Sequence, residues 1–215
     1  MSLYSIKHRL DSSILFEMEC DSLKLCVEAA VKVDTDLSDA NLAGADLSGA
    51  YLASANPTGA KLANANFACP HLACGYFARA HLANANFVNA DLSGAYLVRA
   101  HLANADLSGA NLTGVNLSGA NLTGVNLSGA DLTSADLTWA NFTRANLVRA
   151  NLMHAYLTYA NLTGAKLAGA NLTDANLANA DLTGANLEGA DLSGTNLAGA
   201  YFVGATSLRR PKPQR

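Results

Sequence analysis

From Asp36 to about Ala205 one five-residue phrase, Ala-(Asn/Asp)-Leu-(Ser/Thr)-Gly, repeats without insertion or deletion, as in Ala110-Asn111-Leu112-Thr113-Gly114. Its central residue falls on every position ending in 2 or 7, from Leu37 to Phe202, which makes 34 repeats. Twenty-eight centres are Leu, five are Phe (Phe67, Phe77, Phe87, Phe142, Phe202) and one is Pro57. Self-similarity this strict is the signature of a repeat architecture and constrains the fold before any other feature.

A period of five suits neither regular element. On a helix each step of five turns the chain by about 140° past a full turn, so the Leu side chains would spray around the axis and leave no apolar stripe. On a straight strand side chains alternate with period two, so an odd period sends every second Leu to the wrong face. The pattern is satisfied if Ala and Leu, at the first and third positions, point inward while the fourth and fifth turn a corner. The chain then coils as a β-solenoid. Glycine at the fifth position suits the positive φ that tight corners need.

These repeats resemble the pentapeptide repeat proteins, whose motif is A-(D/N)-L-x-x; the resemblance covers about four-fifths of the chain. It implies an all-β fold: a right-handed quadrilateral β-helix with four repeats per coil and residues twenty apart stacked. The repeats then make about eight and a half coils, a rod roughly 40 Å long at a strand spacing of ~4.8 Å. The Ala position departs at Thr35, Pro70, Gly75, Val115, Val125 and Thr195. Gly75 precedes the Phe77 rung and Phe67 should stack on Phe87, which reads as volume compensation around aromatic rungs. The alternative is that Pro57, Pro70 and Gly75 distort two coils to shape a docking site.

The ends divide the chain into three parts. Residues 1–34 break the repeat and predict a cap. Tyr4-Ser5-Ile6-Lys7-His8 and Ile14-Leu15-Phe16-Glu17-Met18-Glu19 read as a β-hairpin around Asp11-Ser12-Ser13. Asp21 is the expected N-cap of a helix from Ser22 to about Lys32, with Leu23, Cys26, Val27, Ala30 and Val31 as its apolar stripe and Glu28 and Lys32 on the wet side. Residues 35–206 form the solenoid, and 207–215 a basic flexible tail with four cations. The last coil is a natural end-to-end contact for a homodimer. With no leader-type segment and no run of membrane-spanning length, the reading is a cytoplasmic protein that does not engage a membrane. Cys20, Cys26, Cys69 and Cys74 are too sparse for a disulfide framework.

The sequence offers no catalytic constellation, and the expectation is a non-enzyme without cofactor. Cys69, His71 and Cys74 supply three possible metal ligands but not a standard zinc spacing, so no metal is expected. Lys61, His81 and His101 occupy one position in successive coils, either a plain surface ladder or a pH-sensitive, anion-binding patch. One face of four gathers Tyr76, Arg79, Tyr96, Arg99, Trp139, Tyr156 and Tyr159, residue types enriched at binding hot spots. The first functional reading is therefore a non-catalytic binding or scaffold protein presenting rigid flat faces to an unknown protein partner. A second comes from the resemblance: some such proteins mimic duplex DNA and occupy the DNA site of gyrase-type topoisomerases, protecting against quinolones. Eleven acidic and six basic residues between Asp36 and Ala205, a net of −5, give that reading weak electrostatic support. No direct nucleic-acid binding is expected of the solenoid. A remote third reading, ice or crystal-surface binding, rests on the ladder Thr123, Thr143, Thr163 and Thr183.

Overall fold

The computed structural model describes residues 1–68 and 71–206. The expectations placed on Cys69, Pro70 and the basic tail 207–215 lie outside the described residues. Within the repeats, the second residue of each unit pairs in parallel with the residue twenty positions on. These rungs run from Asn41↔Lys61 to Asn186↔Thr206. Twenty residues per turn and five per side make a four-sided coil. The first and third positions face its axis: Leu102, Leu122, Leu162 and their Ala neighbours are fully buried, and no described polar or charged residue is buried with them.

The repeat closes its own hydrogen-bond account. Around Leu112, the Ala110 amide donates to the Leu107 carbonyl (3.1 Å) and closes a corner. The Asn111 amide donates to Ala90 (2.9 Å), one coil back. Leu112 and Gly114 donate to Asp131 (2.7 Å) and Thr133 (2.9 Å), one coil on. One amide remains, that of Thr113, and it donates to Asn111 Oδ1 (3.2 Å). The second-position Asn or Asp is thus an Asx turn that satisfies the only N–H the β-helix leaves over. These side chains are part of the backbone's closure. Their amides also form ladders along the rod. Asn146 donates to Asn126 (2.9 Å) and Asn126 to Asp106 (3.0 Å), where the ladder ends because an ionised carboxylate cannot donate onward.

The corners set the demand at the fifth position, where φ is near +60° throughout. Sixteen of the seventeen glycines sit there. The exception, Gly75, serves packing: a Cβ on it would lie 2.6 Å from Cε2 of Phe77. Phe67 and Phe87 stack with centroids 4.8 Å apart and planes within 1°. Pro57 has no amide to donate to the Tyr76 carbonyl; Thr58 Oγ1 approaches that oxygen at 3.4 Å instead.

The N-terminal segment supplies what a preceding coil would. Strands β1 (Ser2–His8) and β2 (Ile14–Cys20) form an antiparallel hairpin, and β1 also pairs with β3 (Ala40–Asn41) at the first coil. Helix α1 (Leu23–Lys32) follows. Its N-cap is Ser22 rather than Asp21, the Ser22 hydroxyl accepting from the Leu25 amide at 3.3 Å. Cys26, Val27 and Ala30 join the same buried cluster as Leu37 and Leu42. Glu28 does not face water beside Lys32: its carboxylate accepts from the Tyr51 amide (3.0 Å). In deeper coils the equivalent amide donates to a carbonyl twenty-one residues earlier, as Lys61 does to Ala40. Lys24 Nζ likewise donates to the Ser48 carbonyl (3.3 Å), which has no earlier coil to donate to it.

Two predictions follow from this accounting. Asn126→Ala removes the acceptor for the Ser128 amide and hydroxyl and both ladder contacts; it should cost about 1–3 kcal/mol in chemical denaturation. Leu127→Ala should cost about 2–5 kcal/mol. A neutral Asn126→Ala would show that the Asx turn is dispensable. Second, Ser and Thr donors hold the Asp36, Asp46, Asp181 and Asp191 carboxyls below the usual carboxylate range. A depressed folded pKa means stability that is complete above the unfolded value and lost as pH falls through the folded one, from about pH 4 downward. Changing all four to Asn, which keeps the Oδ1 acceptor, should flatten the decline of Tm with pH below about pH 4 while leaving the neutral-pH Tm nearly unchanged.

Candidate functional site

The seven residues singled out in the sequence occupy two adjoining columns. Tyr76, Tyr96 and Tyr156 are second-position residues on the flat of one face, joined through the rungs Tyr76↔Tyr96↔Asn116↔Asp136↔Tyr156. Arg79, Arg99, Trp139 and Tyr159 are fifth-position residues at the neighbouring corner. All five aromatic side chains are exposed, from 46% for Tyr159 to 66% for Trp139.

Four of the five aromatic rings stack in pairs. Tyr76 and Tyr96 stack at 5.4 Å and 9°, Trp139 and Tyr159 at 4.3 Å and 10°. Strand spacing imposes this, since identical positions of successive coils are one rung apart. Stacking fixes two-rotor side chains that would otherwise be mobile, so they present area at little further entropic cost. The two clusters are separate along the rod. A groove of about 480 Å³ lies between them, running from Tyr96 past Asn116 and Asp136 to Tyr156. In the corner column Gly119 marks the break. The Arg99 stem reaches over it, its Cγ 3.4 Å from where a Gly119 Cβ would be.

The corner residues carry a conformational signature. Arg79, Arg99, Trp139 and Tyr159 have φ of 58°, 56°, 59° and 60°. Glycine is free there and Asn nearly so, while a bulky L-residue costs roughly 1–2 kcal/mol. The same left-handed corner holds Arg144, Arg149 and His154, so four consecutive corners from Trp139 to His154 carry large side chains. The sequence reading passed over these last three. The signal was available: each breaks the glycine rule at the fifth position.

Beyond the corner lies the Lys61–His81–His101 column, which the structure stacks as the repeat requires. The rings of His81 and His101 lie 5.1 Å apart and 10° from parallel. Burial, then the neighbouring His101 and Arg9, push the His81 pKa below its usual value, against the pull of Asp39. In the threonine ladder, the Thr123 and Thr143 hydroxyls are committed to Asn121 (2.7 Å) and Asn141 (2.6 Å). Among the described residues no cluster of three His, Cys, Asp or Glu side chains could hold a metal, and no helix is long and apolar enough to cross a membrane.

A model described as "Pentapeptide repeats" matches the chain in eight copies, over residues 33–68, 76–114, 100–138, 110–148, 135–174 and 170–206. None of the curated protein sequences matches it significantly. Among solved structures it is similar to HetL, a pentapeptide repeat protein involved in heterocyst differentiation regulation from the cyanobacterium Nostoc sp. strain PCC 7120. The identity is 34% over 80% of this chain and 88% of that one, with a TM-score of 0.42. It is also similar to Rfr23 from the cyanobacterium Cyanothece 51142, at 36% identity over 46% and 62%, TM-score 0.25. QnrB1, a plasmid-mediated fluoroquinolone resistance protein, matches at 21% identity over 71% and 86%, TM-score 0.30. The right-handed quadrilateral β-helix is the fold of such proteins, and the chain belongs to the pentapeptide repeat family.

Proposed function

We propose that the chain is a non-catalytic scaffold, a rod of about eight and a half coils that presents the face bearing Tyr76, Arg79, Tyr96, Arg99, Trp139, Tyr156 and Tyr159 to a protein partner in the cytoplasm. Residues 1–34 act as the cap, 35–206 as the rod and 207–215 as a tail. The reading is carried by the corner column. Arg79, Arg99, Trp139 and Tyr159 keep left-handed backbone where glycine would be more stable, and strain retained at exposed positions points to a use for the side chains. Tyr, Trp and Arg are also the residues that dominate binding energy at interfaces. A DNA-mimic role at a gyrase-type topoisomerase is the alternative; a supercoiling assay with the purified chain separates it from other partnerships.

The test pairs loss of binding with gain of stability. Trp139→Asn/Tyr159→Asn and Tyr76→Ala/Tyr96→Ala should each weaken capture of the partner by more than tenfold, well over 1 kcal/mol. The corner pair should leave Tm unchanged or raise it, because Asn accepts the left-handed conformation more readily. Lys166→Ala/Glu188→Ala, exposed on the opposite face, is the control. Equal partner binding by all three would sink the site.

A second contact is proposed at the far end of the rod. Leu192, Leu197 and Phe202 belong to the last described coil and are only partly buried, and we take this end as a two-fold dimer contact. Sedimentation at about 50 µM should show a dimer that Leu197→Lys converts to monomer; a monomeric wild type at that concentration would rule it out.

A further inference from the structure

On the other side of the strained corner, where the N-terminal hairpin meets the first coils, runs a groove of about 660 Å³. Arg79 and Arg99 form one wall, His81 and His101 the other, and Arg9 closes the end nearest the hairpin. Asp39 is the only carboxylate lining it, and it is already engaged by Arg9, Nε to Oδ1 at 2.7 Å. Arg79 and Arg99 make no ion pair among the described residues, although both are held in strained corners beside this groove. The overall charge of the chain is negative, so a local concentration of cations is not a by-product of composition.

We propose that this groove binds a phosphoryl group, the dianion of a phosphate ester. The chemistry of the walls selects it. Two guanidinium forks one rung apart, facing two imidazoles, offer more donors than one carboxylate can accept; a phosphoryl group brings nearly two charges and three terminal oxygens. An extended acidic peptide presents same-side carboxylates every ~6.6 Å, out of step with rungs ~4.8 Å apart. The volume suits a compact ligand and not a duplex. The group can come from a small phosphate ester or from a phosphorylated side chain, and the groove recognises what they share.

His81 makes binding depend on pH. His81 is faced by Lys61 one coil earlier, His101 one coil later, Arg9 from the hairpin and Asp39 from the first corner. Burial, then the neighbouring His101 and Arg9, hold its pKa below the usual value, and an incoming dianion reverses the balance. Affinity should therefore rise as pH falls from about 8 to about 6.5, above the point where the phosphate monoester itself takes up a proton.

The inference stands apart from the aromatic docking face, although both use Arg79 and Arg99. The test is a titration of the full-length chain with inorganic phosphate, a phosphoserine peptide and its glutamate counterpart, at constant ionic strength. Binding is followed through the ring nitrogen resonances of its five histidines. The expected result is a saturable shift of His81 and His101 with phosphate or phosphopeptide, while His8, His71 and His154 stay fixed. Arg79→Gln/Arg99→Gln and His81→Asn/His101→Asn should each weaken it at least tenfold. Tyr76→Ala/Tyr96→Ala, which tests the docking face, should leave it as in wild type. A phosphopeptide more than tenfold tighter than phosphate assigns a phosphorylated partner; equal affinity assigns a small ester. Parallel shifts of all five histidines, equal binding of the glutamate peptide, or undiminished binding by the arginine variant each overturn the proposal.

Discussion

The structure depends on the hydrogen bond that the fourth-position amide donates to Oδ1 of the Asn or Asp two residues earlier, wherever the repeat carries one. A coil of five-residue sides can pair four of every five amides with backbone carbonyls, and the fifth points into the corner. Left unpaired at a partly buried corner it would cost about 1–3 kcal/mol, a penalty that, repeated over the repeats carrying Asn or Asp, exceeds the stability of a typical domain. The side-chain oxygen removes the penalty locally, in the repeats with Asn or Asp at the second position, without reaching to another coil. Stacked amides then tie neighbouring coils along the outside, while Leu and Ala exclude water within. The Leu column supplies the driving force, and the Asx turn makes the backbone compatible with it.

The cap obeys the same rule from the opposite direction. The first coil has no predecessor to receive the Tyr51 amide or to donate to the Ser48 carbonyl, and Glu28 and Lys24 supply the missing acceptor and donor. Hydrophobic covering by Cys26, Val27 and Ala30 is only half of that role. Two charged residues of a helix that looked solvated in sequence are edge ligands of the rod.

Period, stacking distance, inside–outside assignment and the Phe67–Phe87 rung were legible in the sequence because each follows from a strict five-residue pattern read against a few allowed backbones. The helix cap was one residue off, since Asp21 and Ser22 are both good caps and only local geometry selects between them. Glu28 was misread because the i,i+4 spacing to Lys32 describes an isolated helix, whereas an unpaired edge amide is a tertiary demand. The aromatic face was visible as composition. That its arginines, Trp139 and Tyr159 hold left-handed backbone was signalled by their place at the glycine position of the repeat; that Arg9, distant in sequence, closes a groove with His81 and His101 could not be seen.

The twenty-residue turn also makes rod length a discrete variable. Between Leu92 and Leu137 every centre is Leu, so a coil duplicated beyond Asn121 would meet the same Leu rungs inside, above and below. Residues 57–87 are different: Pro57, Gly75 and three Phe rungs fit only one another, in one order. The protein therefore combines an extensible shaft with a fixed head. Whole turns added beyond Asn121 would leave the groove at the hairpin undisturbed, and the distance between that groove and the Trp139–Tyr159 cluster would grow in steps of one strand spacing.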